Sequence, residues 1–144
     1  MVPHHAGAAS WPCDHLRVRR HLLVLRHAKS AWDDPTVDDH DRPLAPRGEA
    51  AGRKVRAYLE RRPERPEVVL CSSAVRTVQT LDAIRPALSD RAVVSVEGGL
   101  YLASAGVWLR RLAALDDEVT CAMVIGHNPG LEDLADALVG AGPA

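Results

Sequence analysis

The sequence predicts a three-layer α/β/α sandwich built on a mostly parallel sheet. Three observations carry this. Four short apolar runs stand apart from one another: His21–Leu25, Glu67–Cys71, Ala92–Val96 and Thr120–Ile125. They are rich in β-branched residues and mostly lack alternation, as suits strands covered on both faces. Stretches of helical periodicity lie between and after them, and strand–helix alternation of this kind produces a parallel sheet flanked by helices.

The elements follow in order. Segment 1–20 shows no periodicity and reads as a loosely ordered extension, leaving 21–144 as the domain. The first strand, 21–25, leads into one long connection, 27–45. That connection is rich in Asp (Asp33, Asp34, Asp38, Asp39, Asp41), and long loops in compact domains are often functional. Its acidic residues themselves read as solvated or helix-capping. Pro46 opens a helix to about Arg61, with Ala51, Val55, Tyr58 and Leu59 as its apolar side. A second helix, from Ala74 to about Arg85, follows Ser72 and Ser73 as N-cap candidates and meets Pro86, which is expected to end or kink it. Two more, Ser104–Leu115 and Pro129–Val139, follow the third and fourth strands.

Composition narrows the function. A length of 144 residues suits one domain, since domains commonly hold about 100–150 residues. A net charge of −1, from 18 cationic against 19 acidic residues, argues against bulk attraction to nucleic acid or anionic membrane. All but two of the cations are arginine, the exceptions being Lys29 and Lys54. Most of these arginines read as compositional bias, while a few are candidates for binding phosphate through the planar guanidinium fork. Aromatics are limited to Trp11, Trp32, Trp108, Tyr58 and Tyr101, too few for a base-stacking platform. Cys13, Cys71 and Cys121 show no CxxC spacing, which argues against a zinc site or disulfide framework. Cys71 and Cys121 read as small buried hydrophobes, and a cytoplasmic location is expected. No apolar stretch approaches the roughly 18 residues of a membrane span.

In open α/β sheets, ligands bind beyond the carboxyl ends of the strands. Arg26, His27 and Lys29 follow the first run. Ser72, Ser73 and, one helical turn on, Arg76 follow the second. Glu97 follows the third, and His127 and Asn128 follow the fourth. Arg forks neutralise the equatorial oxygens of a phosphoryl group. One neutral His can attack phosphorus to give a phosphoenzyme, and a second can stabilise developing charge. Each residue alone has an ordinary alternative: Arg76 as a solvated helix residue, His127 as part of a turn marked by Asn128-Pro129. Their convergence on one edge favours a site. Glu97 reads equally as a catalytic acid or a solvated loop carboxylate, because Gly98-Gly99 marks a turn. No metal-binding pattern appears, so no cofactor or metal is expected.

Five segments in order, Leu23–Ser30 (LVLRHAKS), Asp41–Gly48 (DRPLAPRG), Leu70–Thr80 (LCSSAVRTVQT), Leu100–Ala103 (LYLA) and Val124–Leu131 (VIGHNPGL), resemble the histidine phosphatase superfamily (branch 1). The nearest likeness is to its small SixA-like phosphohistidine phosphatases. The resemblance implies a phosphoglycerate mutase-like sandwich without large helical insertions. It implies His27 as the phosphorylated nucleophile, and Arg26, Arg76 and His127, with Asn128, as the phosphate pocket. Asp41 and Arg42 are implied as residues that order the long loop, and Glu97 as the candidate general acid. SixA-like proteins usually continue into a further strand, so this chain is expected to lack a C-terminal one.

The function expected from residues and resemblance together is metal-independent hydrolysis of phosphohistidine on a protein, through a phosphohistidine enzyme intermediate. The alternative is a small-molecule phosphomonoesterase using the same residues. A non-catalytic phosphate-binding module is disfavoured because both histidines are present. Neither a nucleic-acid partner nor a membrane is expected.

Overall fold

The computed structural model describes residues 19–140. The expected N-terminal extension therefore lies almost wholly outside the described residues. The elements run β1 (His21–Arg26), α1 (Pro46–Glu60), β2 (Val68–Ser72), α2 (Val75–Ile84), β3 (Val93–Glu97), α3 (Ala105–Ala113), β4 (Cys121–Gly126) and α4 (Gly130–Gly140). Among the described residues the sheet has four strands in the order β1-β4-β2-β3. Every pairing is parallel. The α/β sandwich expected from the strand–helix alternation is the fold observed.

Each strand ends one residue later than its apolar run. Arg26 pairs with Gly126, and Ser72 with Glu97. Ladder hydrogen bonds use the backbone, so pairing continues where the side chains have already turned polar. The last rung of the sheet thus carries chemistry-bearing residues on rigid backbone. At the opposite end Glu67 stands outside β2. Its carboxylate accepts from Thr120 N, Thr120 Oγ1 and Cys121 N at 3.0, 2.7 and 3.2 Å, tying down the start of β4.

Side chains alternate across a strand, and the two faces of the sheet bury two separate cores. Val69, Cys71, Met123 and Ile125 pack with Leu59, Leu81 and Ile84 beneath α1 and α2. Leu70 and Val124 pack on the other face with Leu100, Trp108, Leu131 and Leu134 from the α3 and α4 side. Cys71 and Cys121 are free and buried. Burial pushes the Cys71 thiol up to about 12, so it is inert. No helix among the described residues is long and apolar enough to cross a membrane.

Two glycines let backbones approach where the site is built. A Cβ on Gly48 would lie 2.1 Å from the Lys29 carbonyl oxygen, and one on Gly130 would lie 1.9 Å from that of Ala103. The first contact presses the long loop onto the start of α1. The second presses segment 98–104 onto the start of α4.

Helix starts differ from expectation in one respect. The N-cap of α2 is Ala74, with no side-chain cap. Ser72 and Ser73, expected as caps, turn instead to His127 and His40. Ser104 does cap α3, accepting from Val107 N at 3.4 Å.

Candidate active site

The carboxyl ends of β1, β2 and β4 open into a pocket of about 440 Å³ lined by Arg26, His27, Lys29, Arg42, Arg76, His127 and Asn128, with Trp32 and Leu102 also in its wall. Among the described residues, four cationic side chains and no carboxylate line it. Such a pocket attracts a compact, multiply charged anion.

His27 follows the last residue of β1, and its amide donates to the Gly126 carbonyl at 3.1 Å. Its Nδ1 sits 2.7 Å from the Ala28 carbonyl oxygen. A carbonyl only accepts, so Nδ1 carries the proton and Nε2 keeps its lone pair. Arg76 Nε donates toward that Nε2 at 3.3 Å. Burial, and then Arg76, Arg26 and Arg42, hold the His27 imidazole below its ordinary 6.5 despite the Ala28 bond. It is therefore neutral and nucleophilic near pH 7.

His127 stands with its ring centroid 5.3 Å from that of His27. Its Nε2 lies 2.8 Å from Ser72 Oγ. That hydroxyl also accepts from Ala74 N at 3.3 Å. The other ring nitrogen of His127, Nδ1, is buried without a partner. An unpartnered buried polar nitrogen is costly. Burial, then Arg76 and His27, push His127 down to about 4, so it is neutral near pH 7.

Arg76 is 3% exposed, and a carboxylate from the long loop fixes it. Asp39 accepts from Arg76 Nη2 on Oδ2 at 3.0 Å and from Nη1 on its carbonyl oxygen at 2.5 Å. Asp39 also accepts from Arg42 at 2.8 Å and from the Tyr101 hydroxyl. These bonds hold its carboxyl well below the usual carboxylate range, Tyr101 contributing most. Asp39 engages the terminal edge of the guanidinium and leaves the Nε edge facing His27. Reading the acidic loop as solvated missed this residue. Its partner lies 37 positions away in sequence, and only the spacing of Asp39 to Arg42, three residues on, gave a local sign of it.

The structure thus brings together Arg26, His27, Arg76, His127 and Asn128. Asn128 donates to Glu132 Oε1 at 2.8 Å from the pocket wall. Arg42 is buried and donates to Ser30 Oγ at 2.8 Å and the Ala31 carbonyl at 3.1 Å, ordering the loop. Asp41 stays at the surface beside His40. Glu97 is not brought into the set. Its carboxylate accepts from Arg111 Nε at 2.9 Å and from Ser95 Oγ at 2.8 Å. Arg111 above all keeps it below its ordinary value. An ionised, already paired carboxylate outside the pocket has no proton to give a leaving group.

A neutral imidazole with an unprotonated Nε2, set beside a fixed guanidinium in a cationic pocket, defines a site of the phosphoryl-transfer class. Residues 22–119 match the histidine phosphatase superfamily (branch 1), and the chain belongs to that superfamily. It is 35% identical to an uncharacterized chloroplastic protein of Arabidopsis thaliana, over 86% of this chain, and spans only 61% of that relative's length. Among solved structures it is similar to SixA from Agrobacterium tumefaciens, with 33% identity and a TM-score of 0.75 over 82% of this chain and 76% of that one. It is also similar to the protein histidine phosphatase SixA complexed with tungstate: 28% identity, TM-score 0.71, over 80% of this chain and 74% of that one. The chain is SixA-like within its superfamily.

Proposed function

We propose that residues 21–144 form a metal-independent phosphatase that removes phosphate from phosphohistidine on a protein. The observation that carries this is the unprotonated Nε2 of His27, its tautomer set by Ala28 and its nitrogen met by Arg76 Nε in a pocket of four cations. The lone pair of Nε2 forms a bond to phosphorus while the bond from phosphorus to the substrate ring nitrogen breaks. That nitrogen takes the electron pair, and the ring, protonated by solvent on its other nitrogen, leaves as neutral imidazole. Arg26, Arg76 and the His127 ring hold the phosphoryl oxygens throughout. A water oxygen then bonds to phosphorus, the pair returns to His27 Nε2, the water's proton passes to solvent, and phosphate departs.

The pocket lining holds no free carboxylic acid among the described residues, which supports a P–N bond over a P–O ester. An alkoxide needs a proton from the enzyme, whereas an imidazole arrives able to carry its own. Likeness to SixA supports the same substrate class, and the buried free thiols support a reducing compartment such as the cytoplasm. The test compares kcat/KM on a phosphohistidine peptide and on p-nitrophenyl phosphate, both in excess EDTA. Higher efficiency on phosphohistidine is expected. Preference for the ester would favour the small-molecule phosphomonoesterase, and loss of activity in EDTA restored by added metal would end the metal-free mechanism.

A further inference from the structure

Resting on the phosphohistidine reading, we propose that Trp32 and Leu102 form a shelf that receives the substrate's imidazole ring and selects it as leaving group. Both line the pocket that holds His27. Trp32 is 71% exposed and Leu102 is 57% exposed. Apart from Ala28, the rest of that wall is polar or cationic.

Among the described residues, Trp32 is packed on one face by Arg42. The Arg42 guanidinium carbon lies 3.5 Å from its ring centroid. Arg42 is itself fixed by Asp39, Ser30 and Ala31. The indole therefore rests on a rigid base, and its exposure leaves the opposite face open. A flat, partly cationic ring is what such a face binds well.

Leu102 has a φ of 51°, a left-handed conformation rarely adopted by residues with branched side chains. Its neighbours impose it. The Tyr101 hydroxyl is bonded to Asp39, and the Ala103 carbonyl packs on Gly130. The leucine side chain gains little burial in return. Backbone strain of this kind points to use at a site, and the use available here is contact with a bound group.

The chemistry places that group. In-line transfer to His27 Nε2 requires the leaving nitrogen on the far side of phosphorus. In phosphohistidine that nitrogen belongs to the flat ring itself, one bond from phosphorus, so the ring lies at the pocket mouth. A sugar or other polyhydroxyl leaving group would find a single indole N–H in Trp32 and no hydrogen-bonding group in Leu102.

The test uses Trp32→Ala, Trp32→Phe and Leu102→Gly, the last removing the side chain while suiting the backbone. For each, kcat/KM is measured on a phosphohistidine peptide and on phosphoramidate, which has the same P–N bond and no ring. The ratio of the two is expected to fall about tenfold in Trp32→Ala, to fall in Leu102→Gly, and to recover in Trp32→Phe. A ratio unmoved by Trp32→Ala and Leu102→Gly overturns the shelf while leaving the phosphohistidine reading in place. A wild-type protein that cleaves phosphoramidate but not the phosphohistidine peptide overturns both.

Discussion

Asp39 shows how much a single loop residue organises. It places Arg76, Arg42 and Tyr101 around one carboxylate. Removing its charge loosens the guanidinium that faces His27, leaving only the bond to the Asp39 carbonyl oxygen, without touching the nucleophile. Asp39→Asn is expected to lower kcat by about tenfold or more, the scale of a lost charge-assisted hydrogen bond, with a smaller change in KM. Asp39→Glu is expected to restore part of it. Steady-state kinetics decide: an unchanged kcat in Asp39→Asn would remove Asp39 from the positioning role. Histidine and arginine positions were legible from sequence because each follows a strand end, where open α/β sheets place ligands. Asp39 was not, because nothing local marks a carboxylate whose partner lies across the fold. Glu97 misled for the converse reason: a strand-end position was visible, but its pairing with Arg111 one helix later was not.

Among the elements, the strands were legible from apolar runs, and their last rungs were not, since backbone pairing outruns side-chain polarity. The serines after β2 carried a hydroxyl signal that reads as a helix cap, yet tertiary contacts took both. The start of α4 depends on close approach that only glycine permits. Gly130→Ala would drive a Cβ into the Ala103 carbonyl oxygen, 1.9 Å from its ideal position. Separation of segment 98–104 from α4 is expected to cost about 1–3 kcal/mol, as for overpacked interiors, and to displace both Leu102 and His127. Denaturant unfolding with parallel kinetics checks this: the midpoint and kcat should fall together. A fully stable Gly130→Ala would show that the contact is not a constraint.

Across the whole molecule, the site is paid for in acid stability. His127 is held near 4 in the folded chain against an ordinary 6.5. Between those values the unfolded chain binds more protons, so stability rises with pH. The contribution is complete above about 6.5 and lost as pH falls toward about 4. Unfolding free energy measured across this window is expected to decline with acid, and to decline less steeply in His127→Gln. Equal slopes would mean that His127 is not buried neutral.

The central claim is that His27 Nε2 becomes phosphorylated. Its direct test is acid-free quenching during turnover of a phosphohistidine peptide, followed by peptide mapping for an acid-labile, base-stable phosphate. That phosphate is expected on His27 in the wild type, and none on the chain in His27→Ala. Turnover with no phosphate trapped on His27, or the same labile phosphate persisting in His27→Ala, would contradict it.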